Sequence, residues 1–119
     1  MNIRRVVPNI SSSRVEESRN FYTEFLGFQV AMDMGWIVTL ASPSNPTAQI
    51  SLLRGAASAS PETSLSLTIE VADVDAMHDK AVAGGLQIIY PLTTEPFGVR
   101  RFSVADPNGV ILNVMSHCK

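Results

Sequence analysis

The sequence predicts an α+β fold made of two copies of one βαβββ module. Three observations predict it. The order strand, helix, strand, strand, strand occurs twice, the two halves align at nearly constant offsets, and a small polar stretch separates them. The expected boundaries are a first module over about residues 1–54, a linker over 55–64 and a second module over about 65–119, together forming one domain.

The first module opens with a strand over Ile3 to Ile10, where Ile3, Val6, Val7 and Ile10 alternate with polar residues. Ser11, Ser12 and Ser13 are expected to break it. Ser13 stands three residues before Glu16, the spacing of a capping box, in which a hydroxyl and a carboxylate each satisfy a free backbone N–H. A helix is therefore expected from about Arg14 to Leu26, with Val15, Ser18, Tyr22 and Phe25 on its inner stripe and Gly27 as its stop. Three short strands follow, over Phe28–Met32, Trp36–Leu40 and Ala48–Leu53. Gly35 and the run from Ser42 to Pro46 supply the turns between them.

Gly55 to Ser64 holds no large apolar residue and reads as a linker. The second module then begins with a clean alternation. Leu65, Leu67, Ile69 and Val71 share one face, and Ser66, Thr68 and Glu70 share the other. Asp73 caps a helix over Val74–Ala83 with Val74, Met77, Ala81 and Val82 as its apolar stripe, and Gly84-Gly85 ends it. Strands are expected over Gln87–Tyr90, Val99–Val104 and Val110–Met115. Pro91, Pro96-Phe97-Gly98 and Asp106-Pro107-Asn108-Gly109 form the turns.

The halves superpose by sequence. An offset of 59 places Val7 on Ser66 and Val15 on Val74; an offset of 64 places Leu40–Asn45 on Val104–Gly109 and Gln49 on Asn113. The latter offset also pairs Trp36 with Arg100. Neither module is large enough to bury a sheet alone, so each is expected to pack on its twin or on another chain.

Composition narrows the function. Of 119 residues, 45% are hydrophobic and 17% charged, and the net charge of −2 supplies no basic face for nucleic acid. No apolar run reaches the roughly 20 residues that span a bilayer, nor is there one after Arg4 and Arg5 long enough for a signal peptide. The single cysteine, Cys118, is one residue from the end and fits a reducing compartment, so a cytoplasmic location is expected. No Gly-rich phosphate loop and no Gly-x-Ser-x-Gly is present. His78 and His117 belong to no ligand cluster and read as surface or helix residues.

Three motifs carry a family likeness. Ser18-Arg19-Asn20-Phe21-Tyr22-Thr23-Glu24-Phe25-Leu26-Gly27-Phe28 and Val71-Ala72-Asp73-Val74-Asp75-Ala76 begin it. Phe97-Gly98-Val99-Arg100-Arg101-Phe102, with Ala105-Asp106-Pro107-Asn108-Gly109, completes it. In this order and spacing they resemble the glyoxalase / bleomycin-resistance / extradiol-dioxygenase superfamily. The resemblance implies paired βαβββ modules whose curled mixed sheets enclose a cavity, commonly in a homodimer. It also implies a divalent-metal site in many members, at positions corresponding here to Val7, Gln49, Ser66 and Asn113. Valine has no donor atom, a protonated serine is a poor ligand, and two neutral amides bring no charge. No metal cofactor is therefore expected.

The expected function is binding of a small organic molecule in a metal-free cavity, as in antibiotic or metabolite sequestration, with catalysis not expected. The alternatives are a metal-dependent lyase, isomerase or dioxygenase with unusual ligands, and a regulatory module with a filled cavity. Candidate ligand-binding residues are Trp36, Gln49, Ser66, Thr68, Glu70, Arg100, Phe102 and Asn113. Met32 and Met34 could join Trp36 and Phe102 around a flat ligand, and the loop over Thr93–Phe97 could close the mouth. Arg100 and Arg101 point to opposite faces of their strand, so at most one can serve the ligand. Bleomycin is large and cationic, which fits poorly with a chain of net charge −2.

Overall fold

Residues 4–55 and 65–118 are described by the structure, a computed structural model. The linker expected at 55–64 lies outside the described residues except for Gly55, as do the first residues of the opening strand. The chain divides into two compact units, Met1–Ala59 and Ser60–Lys119.

The first unit contains β1 (Asn9–Ser12), α1 (Val15–Glu24), β2 (Gln29–Asp33), β3 (Ile37–Ala41) and β4 (Gln49–Arg54). The second contains β5 (Ser66–Glu70), α2 (Val74–Ala83), β6 (Ile88–Thr94), β7 (Val99–Ala105) and β8 (Ile111–His117). The sheets have the same topology, β1-β4-β3-β2 and β5-β8-β7-β6, and both remain open. In each, the outer first strand runs parallel to the last one, and the other pairings are antiparallel. The α+β class, the mixed sheets and the duplicated strand–helix–three-strand order agree with the sequence reading.

Both helices cover one face of their own sheet. In the first unit Val15 and Tyr22 of α1, with Phe25 beyond its end, are buried with Val38, Leu40, Ile50 and Leu52. In the second, Val74 and Ala81 of α2 are buried with Phe102, Val104, Leu112 and Val114. Val82, expected on the inner stripe, is 55% exposed, because the helix turns it past the contact face.

The helix starts differ from each other. Asp73 caps α2 as expected, its carboxylate accepting from Ala76 N at 3.0 Å. Ser116 adds a bridge, accepting from Val74 N at 3.1 Å and donating to Val71 O at 2.7 Å. The capping box expected at Ser13 and Glu16 does not form. Arg14 is the N-cap residue and makes no side-chain cap bond; Ser12 Oγ accepts from Arg14 N instead, and Glu16 pairs with Arg54 of β4. Ser11 and Ser12 do not break β1 either. Their backbones pair with Leu53 and Arg54, and the buried Ser12 hydroxyl shares a hydrogen bond with Ser18 of α1.

Gly84-Gly85 ends α2 in a Schellman motif: Leu86 N donates to Ala81 O at 3.0 Å and Gly85 N to Val82 O at 3.1 Å. Gly85 has φ of 73°, which a side chain would disfavour. Pro91 was expected to form a turn but lies inside β6, where the register slips on either side of it. Proline cannot donate to a ladder, and β6 is an edge strand with bulges, the setting that tolerates it.

Candidate functional site

Strand alternation and register decide which side chains share the sheet face opposite each helix. In the second unit Phe102 and Val104 of β7 stand opposite Val114 and Leu112 of β8. Phe102 is fully buried, its ring edge-on to His78 of α2 at 5.2 Å. This set is the helix side. The intervening residues Arg101 and Ser103, opposite Met115 and Asn113, therefore form the other face, together with Ser66, Thr68 and Glu70 of β5.

Four of the expected residues meet there. Thr68 is the partner of Asn113, with 3.5 Å between Asn113 Nδ2 and the Thr68 hydroxyl. Ser66 lies at the start of the same strand face and Glu70 at its end. Glu70 Oε2 lies 2.8 Å from Nδ1 of His117, the exposed last residue of β8.

Arg101 and Arg100 have different surroundings. Arg101 lies on the Asn113 face. Its Nε and Nη2 donate to Glu95 Oε2 at 3.0 and 2.9 Å, and its Nη1 donates to Asn113 Oδ1 at 3.3 Å. The guanidinium lies over the Tyr90 ring, 4.4 Å from the centroid, and the Tyr90 hydroxyl donates to Glu95 at 3.1 Å. The bond to Glu95 pushes the Arg101 pKa upward, which keeps the cation charged. Arg100 lies on the helix side, where it pairs with Asp75 of α2 at 2.9 Å and donates to Thr94 at 2.9 Å. The arginine on the face opposite the helix is thus Arg101.

Phe102 and Arg100 share the helix-side parity, and the structure places neither with Asn113. Trp36 precedes β3 and is 59% exposed, and its backbone carbonyl accepts from Arg54 N at 2.9 Å. Met32 and Met34 are exposed beside it in sequence. Gln49 opens β4, accepts from Arg5 and donates to Pro46 O at 2.9 Å. Of the loop expected at Thr93–Phe97, Thr93 and Thr94 belong to β6, and Glu95 is the partner of Arg101.

The register also corrects the repeat. Asn9 stands opposite Ser51 and lies six residues before Val15, the first residue of α1. Thr68 stands opposite Asn113 and lies six before Val74, the first of α2. The counterpart of Asn113 is therefore Ser51, not Gln49. The hairpin between β3 and β4 is two residues longer than its twin, which the sequence offset absorbed in the wrong strand. Thr39 and Ser103 are equivalent by the same register, so Trp36 keeps its match with Arg100. Ser51 is buried, and its hydroxyl shares a 2.8 Å hydrogen bond with Thr39.

The four positions at which the family resemblance would put metal ligands thus hold Val7, Ser51, Ser66 and Asn113. One has no donor, two are hydroxyls, and the Asn113 oxygen already accepts from Arg101. This set does not fit a divalent ion, which wants carboxylates or imidazoles. Among the described residues no three His, Cys, Asp or Glu side chains are grouped so as to hold one.

Tyr90, Ser51 and Ser103 escaped the sequence reading, which left Arg100 and Arg101 as alternatives and named Glu95 only as part of the mouth loop. Assigning Phe102 to the core would have found Arg101 and Ser103, since alternation then sends both to the other face.

The family model described as Glyoxalase/Bleomycin resistance protein/Dioxygenase superfamily matches residues 3–114. No curated protein matches significantly. Among solved structures, TioX from Micromonospora sp. ML1 is 18% identical with a TM-score of 0.80, covering 97% of this chain and 99% of its own. A superfamily member from Sphaerobacter thermophilus DSM 20745 is 20% identical with a TM-score of 0.80, covering 98% and 99%. A glyoxalase/bleomycin resistance protein/dioxygenase from Nocardioides is 16% identical with a TM-score of 0.78, covering 100% and 86%. At these identities the likeness is one of fold.

Proposed function

We propose a function from one premise: the chain belongs to the Glyoxalase/Bleomycin resistance protein/Dioxygenase superfamily. Within it, we infer a protein that binds a small organic molecule without a metal and without turnover, as a sequestering protein or metabolite carrier does. The observation that carries this reading is the neutral set Val7, Ser51, Ser66 and Asn113 at the repeat-related positions. A Lewis-acid mechanism needs an ion held by charged or strongly donating ligands. Binding needs only shape, apolar contact and a few placed polar groups. The second sheet offers polar groups for this in Thr68, Arg101 and Asn113. The proposal extends to a homodimer in the cytoplasm, from the family resemblance and the single cysteine. Among the described residues no helix is long and apolar enough to cross a membrane.

The metal-dependent alternative has one observation in its favour: Glu70 and His117 bring a carboxylate and an imidazole together on the face of the second sheet opposite α2.

Metal content separates the two readings. Untagged protein is dialysed against zinc, nickel, manganese and iron, then measured by mass spectrometry. Less than about a tenth of an equivalent in every case is expected, with ligands then sought by thermal shift, where a true ligand raises the midpoint. A full equivalent that is lost in Glu70→Gln and His117→Ala would establish the alternative.

A further inference from the structure

We propose that Arg101 is a preset stacking platform for a flat, uncharged aromatic ligand on the second sheet. This rests on the binding function above and names the ligand class for it. A guanidinium is a planar group with two broad faces and an edge of N–H donors. In Arg101 the guanidinium carbon lies over the Tyr90 ring, 4.4 Å from the centroid. The edge is held by Glu95 at 2.9 and 3.0 Å and by Asn113 at 3.3 Å. These contacts fix the plane before any ligand arrives, and such preorganisation removes an ordering cost from binding. They do not close the group off: the Arg101 side chain is 29% exposed, against 12% for Glu95. An aromatic ring laid there would complete a Tyr90–Arg101–ligand stack.

Charge selects among aromatic ligands. Glu95 already compensates Arg101, so the ligand need bring no negative charge, and an anion would meet the Glu95 carboxylate. The neighbouring groups are the Thr68 hydroxyl and the Asn113 amide, while Ser103, on the strand opposite Asn113, is buried. Neutral donors and acceptors of this kind suit an amide or hydroxyl substituent on the ring. Arg100, by contrast, is held by Asp75 and Thr94 on the helix side; the contact with Tyr90 is the one cation–ring contact found among the described residues.

The test is an NMR titration of the full chain with 2-naphthamide, its saturated analogue decahydro-2-naphthamide, and the anion 2-naphthoate, following the Arg101 Nε–H resonance. The expected result is that 2-naphthamide binds at least about tenfold tighter than either analogue and shifts that proton upfield through its ring current. Arg101→Lys keeps the charge and removes the plane, so it should weaken 2-naphthamide by about tenfold. Glu95→Gln frees the charge, so it should move preference toward 2-naphthoate. Should Arg101→Lys not fold, the wild-type proton shift decides. Binding of 2-naphthamide with that proton unmoved would overturn the platform and leave the binding function standing, as would binding of the saturated amide alone. No binding of any probe at about 10 mM overturns the platform, while the thermal-shift screen judges the binding function separately.

Discussion

Arg100 and Arg101 are adjacent and chemically identical, yet one braces a helix and the other lies on the opposite sheet face. Strand alternation separates them, and only the neighbours give each a role. Arg100 hydrogen-bonds Asp75 and thereby holds its carboxyl below the ordinary aspartate range. Because the folded value lies below the unfolded one, this pair contributes stability above the ordinary aspartate range and loses it as pH falls through the lowered value. The urea midpoint of Asp75→Asn should therefore fall short of wild type at pH 7, and the gap should close as the solution is acidified below that range. Added salt should narrow the gap at pH 7, since both side chains are partly exposed. Phe102 gives a second test at this scale. As a fully buried ring against His78, its replacement by alanine should cost about 3–5 kcal/mol in denaturant unfolding. A role as a ligand-lining residue would instead lower binding with little loss of stability.

The helices illustrate how far local signals reach. Asp73 and Ser13 look equally good as caps in sequence, and only Asp73 accepts a backbone N–H. Asp73→Ala should lose about 1 kcal/mol, while Ser13→Ala should stay within about 0.5 kcal/mol of wild type; paired urea melts compare them. Ser13 is displaced because Ser12, one residue earlier, is drawn inward to Ser18 and takes the Arg14 N–H, and because Arg54 engages Glu16. These partners are six and 38 residues away along the chain, beyond any capping rule. Pro91 teaches the same lesson for strands. A proline inside an alternating run argues for a turn, unless the strand proves to be an edge, and edge position is a property of the sheet.

For the whole molecule, the duplicated topology makes a prediction about metals. The repeat-related positions at which the resemblance would put ligands are Val7, Ser51, Ser66 and Asn113, and none of them is a carboxylate or imidazole. Zinc, nickel or manganese at millimolar concentration should leave the melting midpoint of the chain unchanged by scanning calorimetry. Tight binding to the native state would raise it. The repeat itself, both helices, most strand centres and the polar face of β5 were legible in the residues, because hydrophobic period and turn chemistry are local. The partner of Asn113 was not legible, because an extra two residues in one hairpin shift the offset without leaving a local mark.

The sequence by itself determined the α+β class, the twofold module order and the Asp73 cap. Each follows from residue type and spacing along a few turns or strand steps. Only the tertiary structure decided that Ser51 is the counterpart of Asn113 and that Arg101, tied to Tyr90 and Glu95, lies on the face opposite the helix. The physical reason is register: which residue stands across a strand is set by ladder hydrogen bonds between distant segments, and a side chain's partners depend on that pairing.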